Sequence, residues 1–188
     1  MVKKMLDKEK ESLLKDILEL ELEFFTSMNV EESVPEKALP ALKRMRWMTY
    51  SVLSEETLTL LLENLHAAKA AERNTMIEKY ALLDGLIEPI QENPLIEKIV
   101  SQEVLWMDEV AERYPQLVQN HENNKDLFAR YMSCELQSWQ PEGLASYWCD
   151  INAALSQGRN LAEERYDNLY MSLGKGSMRD YSRELKGC

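Results

Sequence analysis

Glycine and proline are scarce, with six of each among 188 residues. Leu, Glu, Lys, Ala and Met fill the space they leave and β-branched residues are thin, so an all-α fold is expected. Cysteine is scarcer still. Cys134, Cys149 and Cys188 form no C-x-x-C pair and leave an odd count, which suits a reduced cytoplasmic protein better than an oxidised secreted one. No block of Lys and Arg offsets the formal net charge of -11. A phosphate backbone would be repelled, so nucleic acid is not an expected partner. No apolar run approaches the roughly 20 residues that span a bilayer, and no membrane association is expected. The opening "MVKKMLDKEKESLLKDILEL" is interrupted by acidic residues before a signal-peptide core can form. A Gly-rich phosphate loop, a G-x-S-x-G elbow and an H-E-x-x-H zinc helix are absent too. These gaps leave no familiar catalytic template and any cofactor unspecified.

What is present is a succession of amphipathic segments, and 45% hydrophobic residues are enough to bury a core in a chain of this length. Residues 5–28 read as one long helix, with Leu14, Ile17, Leu18, Phe24 and Phe25 at three- and four-residue spacing. "SMNVEESVPEKALP", with Pro35 and Pro40, reads as a loop, and a helix starts at about Pro40. Ser54 before Glu55 and Glu56 marks an N-cap. The segment at Arg73-Asn74 leads into a helix that runs to about Asp84, where Gly85 stops it. Asn93-Pro94 opens another long helix, closed by Pro115. "LVQNHENNK" reads as a polar connection and "DLFARYMSCELQSW" as a helix. Pro141 begins the next helix, which ends near Gly158, and a second Arg-Asn segment continues to about Leu173. The tail 175–188 is poor in apolar residues and is expected to be partly disordered.

The two Arg-Asn segments, "ERNTMIEKY" at 72–80 and "GRNLAEERY" at 158–166, share one internal spacing. Sliding residues 43–85 by 86 positions gives ten identical pairs, among them Arg44/Arg130, Arg73/Arg159, Asn74/Asn160, Glu78/Glu164 and Tyr80/Tyr166. Lys79/Arg165 keeps its charge. An offset of 82 aligns the two long helices and pairs Glu21 with Glu103. The difference falls in a loop, where insertions are cheap. The expected architecture is a single all-α domain over 1–174, a pseudo-twofold bundle of two tandem repeats of a helix–loop–helix–helix–helix unit. The repeats occupy about 5–88 and 93–173.

Three functions fit the twelve repeated polar residues. If the pseudo-axis brings them together, Glu21, Arg44, Arg73, Asn74, Glu78 and Tyr80 meet Glu103, Arg130, Arg159, Asn160, Glu164 and Tyr166 in one polar pocket between the repeats. Arg would hold a small anionic ligand, Asn would orient it, and Glu or Tyr could move a proton. The second reading is an interaction or scaffold protein. Its Arg–Glu pairs lock helices, Asn74 and Asn160 are N-caps, and the tyrosines are core rings. The third is a carboxylate-bridged metal bundle with Glu21, Glu78, Glu103 and Glu164 as ligands. Its usual signature of Glu-x-x-His on two helices is missing, since the only histidines, His66 and His121, do not repeat. Trp47, Met48, Trp106, Met107, Trp139 and Trp148 fall at helical spacing as core residues, and a pocket they lined would suit a flat apolar ligand.

"ERNTMIEKYALL" and "GRNLAEERYDNLYMSLG", with "LELELEFF" and "MRWMTYSVLSEETL", resemble a bacterial family of uncharacterised proteins, domain of unknown function 4125. The resemblance covers about residues 14–174. It implies a bacterial origin, an intact domain, and Arg-Asn segments that are hallmarks of the family. It implies no activity and transfers no catalytic residue. Members carry a Gly-rich stretch after the first helix, where this chain has "NVEESVPEKALP" without glycine.

Overall fold

The computed structural model describes residues 8–28, 39–119 and 121–186. Among the described residues there are nine α-helices and no strand. They are α1 (Lys8–Thr26), α2 (Leu39–Tyr50), α3 (Glu55–Ala70), α4 (Thr75–Leu83), α5 (Pro94–Arg113), α6 (His121–Leu136), α7 (Pro141–Ser156), α8 (Leu161–Ser172) and α9 (Met178–Lys186). None is long and apolar enough to cross a membrane. Residues 5–7 of the expected first helix, most of the expected loop including Pro35, and Cys188 lie outside the described residues.

Local chemistry sets the helix ends. Ser54 caps α3 by accepting from the Thr57 N–H, and Asn93 caps α5 by accepting from Leu95. Asn74 accepts from Met76 and Ile77, and Asn160 from Glu163, so both are N-caps. Pro94 and Pro141 occupy first turns, where the missing N–H costs no hydrogen bond. The α3–α4 and α7–α8 corners close in the same way. Glu72 and Gly158 adopt positive φ, 55° and 64°. The next amides, Arg73 and Arg159, reach back to the carbonyls of Ala68 and Ala154, each at 2.9 Å.

The apolar faces then dictate the packing. The long helix α1 lies against α2, α3 and α4, and the long helix α5 against α6, α7 and α8. Helices α3 and α7 pack on each other, α2 packs on α8, and α4 packs on α6. One continuous core runs through these layers, with Leu14, Ile17, Leu58, Ile99, Leu144, Ile151 and Leu161 almost wholly buried. At the α3–α7 contact the hydroxyls of Thr57 and Ser146 meet at 2.7 Å, and Asp150 accepts from Thr57 and from the Ser54 amide.

Two segments differ from expectation. Residues 121–125, expected in a polar connection, form the first turn of α6. There the buried His121 and Lys125 both engage Asp108 of α5, at 2.7 and 2.6 Å. The expected disordered tail instead carries α9, which packs on α8. Ser177 and Asp180 cap each other's amides at its start, Met178 is fully buried, and Tyr181 stacks on Tyr170 at 5.2 Å.

Candidate functional site

Two buried Glu–Arg–Tyr networks stand inside the bundle. In the first, Glu21 of α1 receives Arg46 of α2 through Nε and Nη2, at 2.8 and 2.6 Å, and the Tyr50 hydroxyl at 2.6 Å. The same guanidinium grips Glu135 of α6 with two bonds of 2.8 Å. Lys79 of α4 donates to the Tyr131 hydroxyl at 2.7 Å and reaches Glu135 at 3.4 Å. Its ammonium also lies 4.5 Å from the centre of the Tyr131 ring. In the second network Glu103 of α5 receives Arg165 of α8 through Nη1 and Nη2 and the Tyr147 hydroxyl of α7 at 2.8 Å. The Nε of Arg165 caps the end of α2 through the Thr49 carbonyl, 3.0 Å away.

At Arg46 and Glu135, neighbouring charges outweigh burial. Burial disfavours the ionised Glu135 carboxylate, but Arg46 and Lys79 beside it hold its pKa down to about 2. Burial likewise works against a charged Arg46, yet Glu135 and Glu21 raise its pKa well above the ordinary value. Tyr50 and Tyr147 are pushed well up by burial, so both keep their protons. Arg46 and Glu21 are 7% and 4% exposed, and Arg165 and Glu103 are 8% and 0% exposed. These are interior ion pairs rather than solvated ones.

A cavity of about 170 Å³ lies between the networks. Arg46, Tyr50, Tyr131 and Glu135 wall one side, and Glu103, Tyr147 and Arg165 wall the other. Apart from Thr49, the remaining lining is apolar or aromatic: Met48 and Leu53 from and after α2, Met107 from α5, Phe128, Met132 and Leu136 from α6, Trp139, and Ala162 and Tyr166 from α8.

Of the twelve repeated polar residues, Glu103 and Tyr166 line this cavity. Glu21 stands behind it, holding Arg46. Arg73 forms a two-bond ion pair with Glu78 at 2.7 and 2.8 Å, and Arg159 does the same with Glu164 at 2.7 Å. The Asn74 amide also donates to the Phe24 carbonyl, and the Asn160 amide to the Trp106 carbonyl, tying each corner to a long helix. Tyr80 stands edge-on to Tyr131, ring centres 6.4 Å apart. Arg44 is exposed, and Arg130, also exposed, donates to the Leu83 carbonyl at the end of α4. No three His, Cys, Asp or Glu among the described residues are grouped to hold an ion. The four glutamates do not meet because each is engaged by its own arginine. Missing from the candidates were Arg46, Tyr50, Lys79, Tyr131, Glu135, Tyr147 and Arg165. Two signals pointed to them: the four-residue spacing of Arg46 and Tyr50, and the charge kept between Lys79 and Arg165.

The molecule is thus an all-α bundle whose buried ion networks flank a small cavity. The chain belongs to the family described as protein of unknown function (DUF4125), whose pattern matches residues 11–183. That span includes both Arg-Asn corners and most of α9. No curated protein and no solved structure matches it.

Proposed function

We propose that this protein binds a small, uncharged, largely apolar molecule in the cavity between α2, α5, α6, α7 and α8. The observation that carries this reading is an interior hollow with an apolar lining beside neutralised charge networks. An engineered apolar cavity of about 150 Å³ takes benzene, so a single-ring molecule is the right size here. An anionic ligand, the expectation from Arg73 and Arg159, is less well served. Those guanidiniums are held by Glu78 and Glu164, and the cations at the cavity by Glu21, Glu135 and Glu103. Carboxylates tied to arginine are weak bases, which favours binding over proton transfer.

The cavity's position also supports descent from two tandem repeats, about 5–88 and 93–173. Exchanging α1–α4 with α5–α8 maps the main contacts among these eight helices onto one another: α1–α2 onto α5–α6, α2–α8 onto α6–α4, and α3–α7 onto itself. The ligand site then lies where the two halves interlock. The rival is a scaffold whose ion networks only hold helices together, and it gives the cavity no purpose.

The test is a thermal-shift series with toluene, indole and acetophenone on the wild type and on Met132→Trp, which fills the cavity from one wall. A ligand at one hundred times its Kd stabilises by about 2.7 kcal/mol. At least one probe should shift the wild type and none should shift a folded Met132→Trp. Equal shifts in both, or none in the wild type, would overturn the reading.

A further inference from the structure

The two arginines that wall the cavity have hydrogens to give. A guanidinium carries five N–H donors. Arg46 spends Nε on Glu21, both Nη2 hydrogens among Glu21, Tyr50 and Glu135, and one Nη1 hydrogen on Glu135. Arg165 spends Nε on Thr49, Nη2 on Glu103 and Tyr147, and one Nη1 hydrogen on Glu103. Each therefore keeps one Nη1 hydrogen without a protein acceptor among the described residues, and each residue is more than nine-tenths buried and lines the cavity. Tyr131, also in the lining, accepts a hydrogen bond from Lys79, which leaves its own hydroxyl hydrogen to donate. On the acceptor side, the Glu135 oxygens are taken by Arg46 and Lys79, and Glu103 has no exposed surface.

We infer that the ligand of this cavity is a neutral carbonyl compound, a ketone, amide or quinone-type ring, whose oxygen is received by Tyr131 and the spare Nη1 hydrogens of Arg46 and Arg165. This rests on the reading of the cavity as a ligand site and names the chemistry it selects. Each network is electrically balanced: Arg46 and Lys79 against Glu21 and Glu135, and Arg165 against Glu103. An anion entering would shed its hydration for no net countercharge, and a cation would meet only carboxylates already engaged by Arg46, Lys79 and Arg165. A neutral acceptor satisfies the buried donors, whereas a hydrocarbon leaves them unpaired, and that asymmetry is where selectivity arises. Lys79 acts as a positioning residue, loading the Tyr131 oxygen so that its hydrogen turns outward.

The test uses four single-ring probes of similar size: toluene, acetophenone, benzylamine and benzoate, titrated by calorimetry into wild type, Tyr131→Phe and Met132→Trp. Acetophenone should bind at least about tenfold tighter than toluene, the worth of one good hydrogen bond. Tyr131→Phe should remove most of that preference. The infrared carbonyl stretch of bound acetophenone should move to lower frequency in the wild type and move back in Tyr131→Phe. If toluene and acetophenone bind equally and both are lost in Met132→Trp, the cavity reading survives and the carbonyl inference falls. If benzoate or benzylamine binds tightest, the inference falls as well. If nothing binds, both fall together.

Discussion

Replacing Glu103 by Gln isolates one charge in the second network. The change keeps the size of the side chain and removes the counter-ion of Arg165, which is 8% exposed and receives no other carboxylate. Gln can still accept one N–H, but it points a new amide donor at a guanidinium or at the Tyr147 hydroxyl. Breaking a buried ion pair by removing one partner costs about 3–5 kcal/mol, most of it the stranded charge. In a chain of this size each kcal/mol moves the midpoint by about 2–4 °C, so Tm should fall by about 10 °C. Urea unfolding followed by circular dichroism should show a lower midpoint with an unchanged slope. The control is Glu19→Gln, which removes the exposed Lys15–Glu19 pair, 68% and 57% exposed, and should cost less than about 0.5 kcal/mol. If Glu103→Gln costs no more than this control, Arg165 is solvated and the buried-network argument is wrong.

Glu72 occupies a left-handed position, φ 55°, that glycine holds at the other corner, so Glu72→Gly should stabilise by up to about 1 kcal/mol and Gly158→Glu should do the opposite. A cost from Glu72→Gly in urea unfolding would refute this. Asn74→Ala and Asn160→Ala each lose a cap and a tie to a long helix and should cost about 2 kcal/mol, whereas Arg73→Ala, at a side chain 39% exposed, should cost less than about 1 kcal/mol. Glu135 has a folded pKa of about 2 against 4.5 in an unfolded chain. Its contribution is therefore complete above pH 4.5 and is lost as pH falls toward 2, about 3 kcal/mol at 1.36 kcal/mol per unit. Acid titration of stability should flatten over that window in Glu135→Gln. The raised tyrosines have the opposite sign, so stability should also fall as pH rises past 10.

The caps and corners were legible because their signals are local. Asn74, Asn160, Ser54 and Asn93 cap amides two or three residues away. The repeated Arg–Glu spacing of five encodes a corner ion pair. The networks were harder to see because their partners are far apart in the chain: Arg46 and Glu135 are 89 residues apart, Arg165 and Glu103 are 62 apart. A buried arginine is written with the same letter as a solvated one, and only packing tells them apart. Glu21 and Glu103 were found through the offset of the long helices. Met48, Met107 and Trp139, read as core with the chemistry of a flat apolar pocket, do line the cavity. The helix α9 was missed although "GSMRD" spells its cap, because one buried methionine and one stacked tyrosine supply little apolar periodicity.

A buried ion pair is a weak device for stability. Replacing both partners with apolar residues of similar volume is often neutral, or stabilising by about 1–4 kcal/mol. If Glu103 and Arg165 served only to hold α5 against α8, the double variant Glu103→Met, Arg165→Met would therefore fold about as well as the wild type. The Thr49 carbonyl would lose a donor, and the Tyr147 hydroxyl both a donor and its acceptor Glu103, at about 1 kcal/mol each. Stability alone then gives little reason to keep the pair. Its remaining consequence is the Nη1 hydrogen that Arg165 brings to the cavity. The double variant should stay folded, recover most of what Glu103→Gln loses, and bind toluene at least as well as before, while its preference for acetophenone shrinks. Stability and ligand preference come apart in this variant only if the arginine faces a ligand. A folded double variant that keeps the full carbonyl preference would refute that assignment and return the network to a purely structural part.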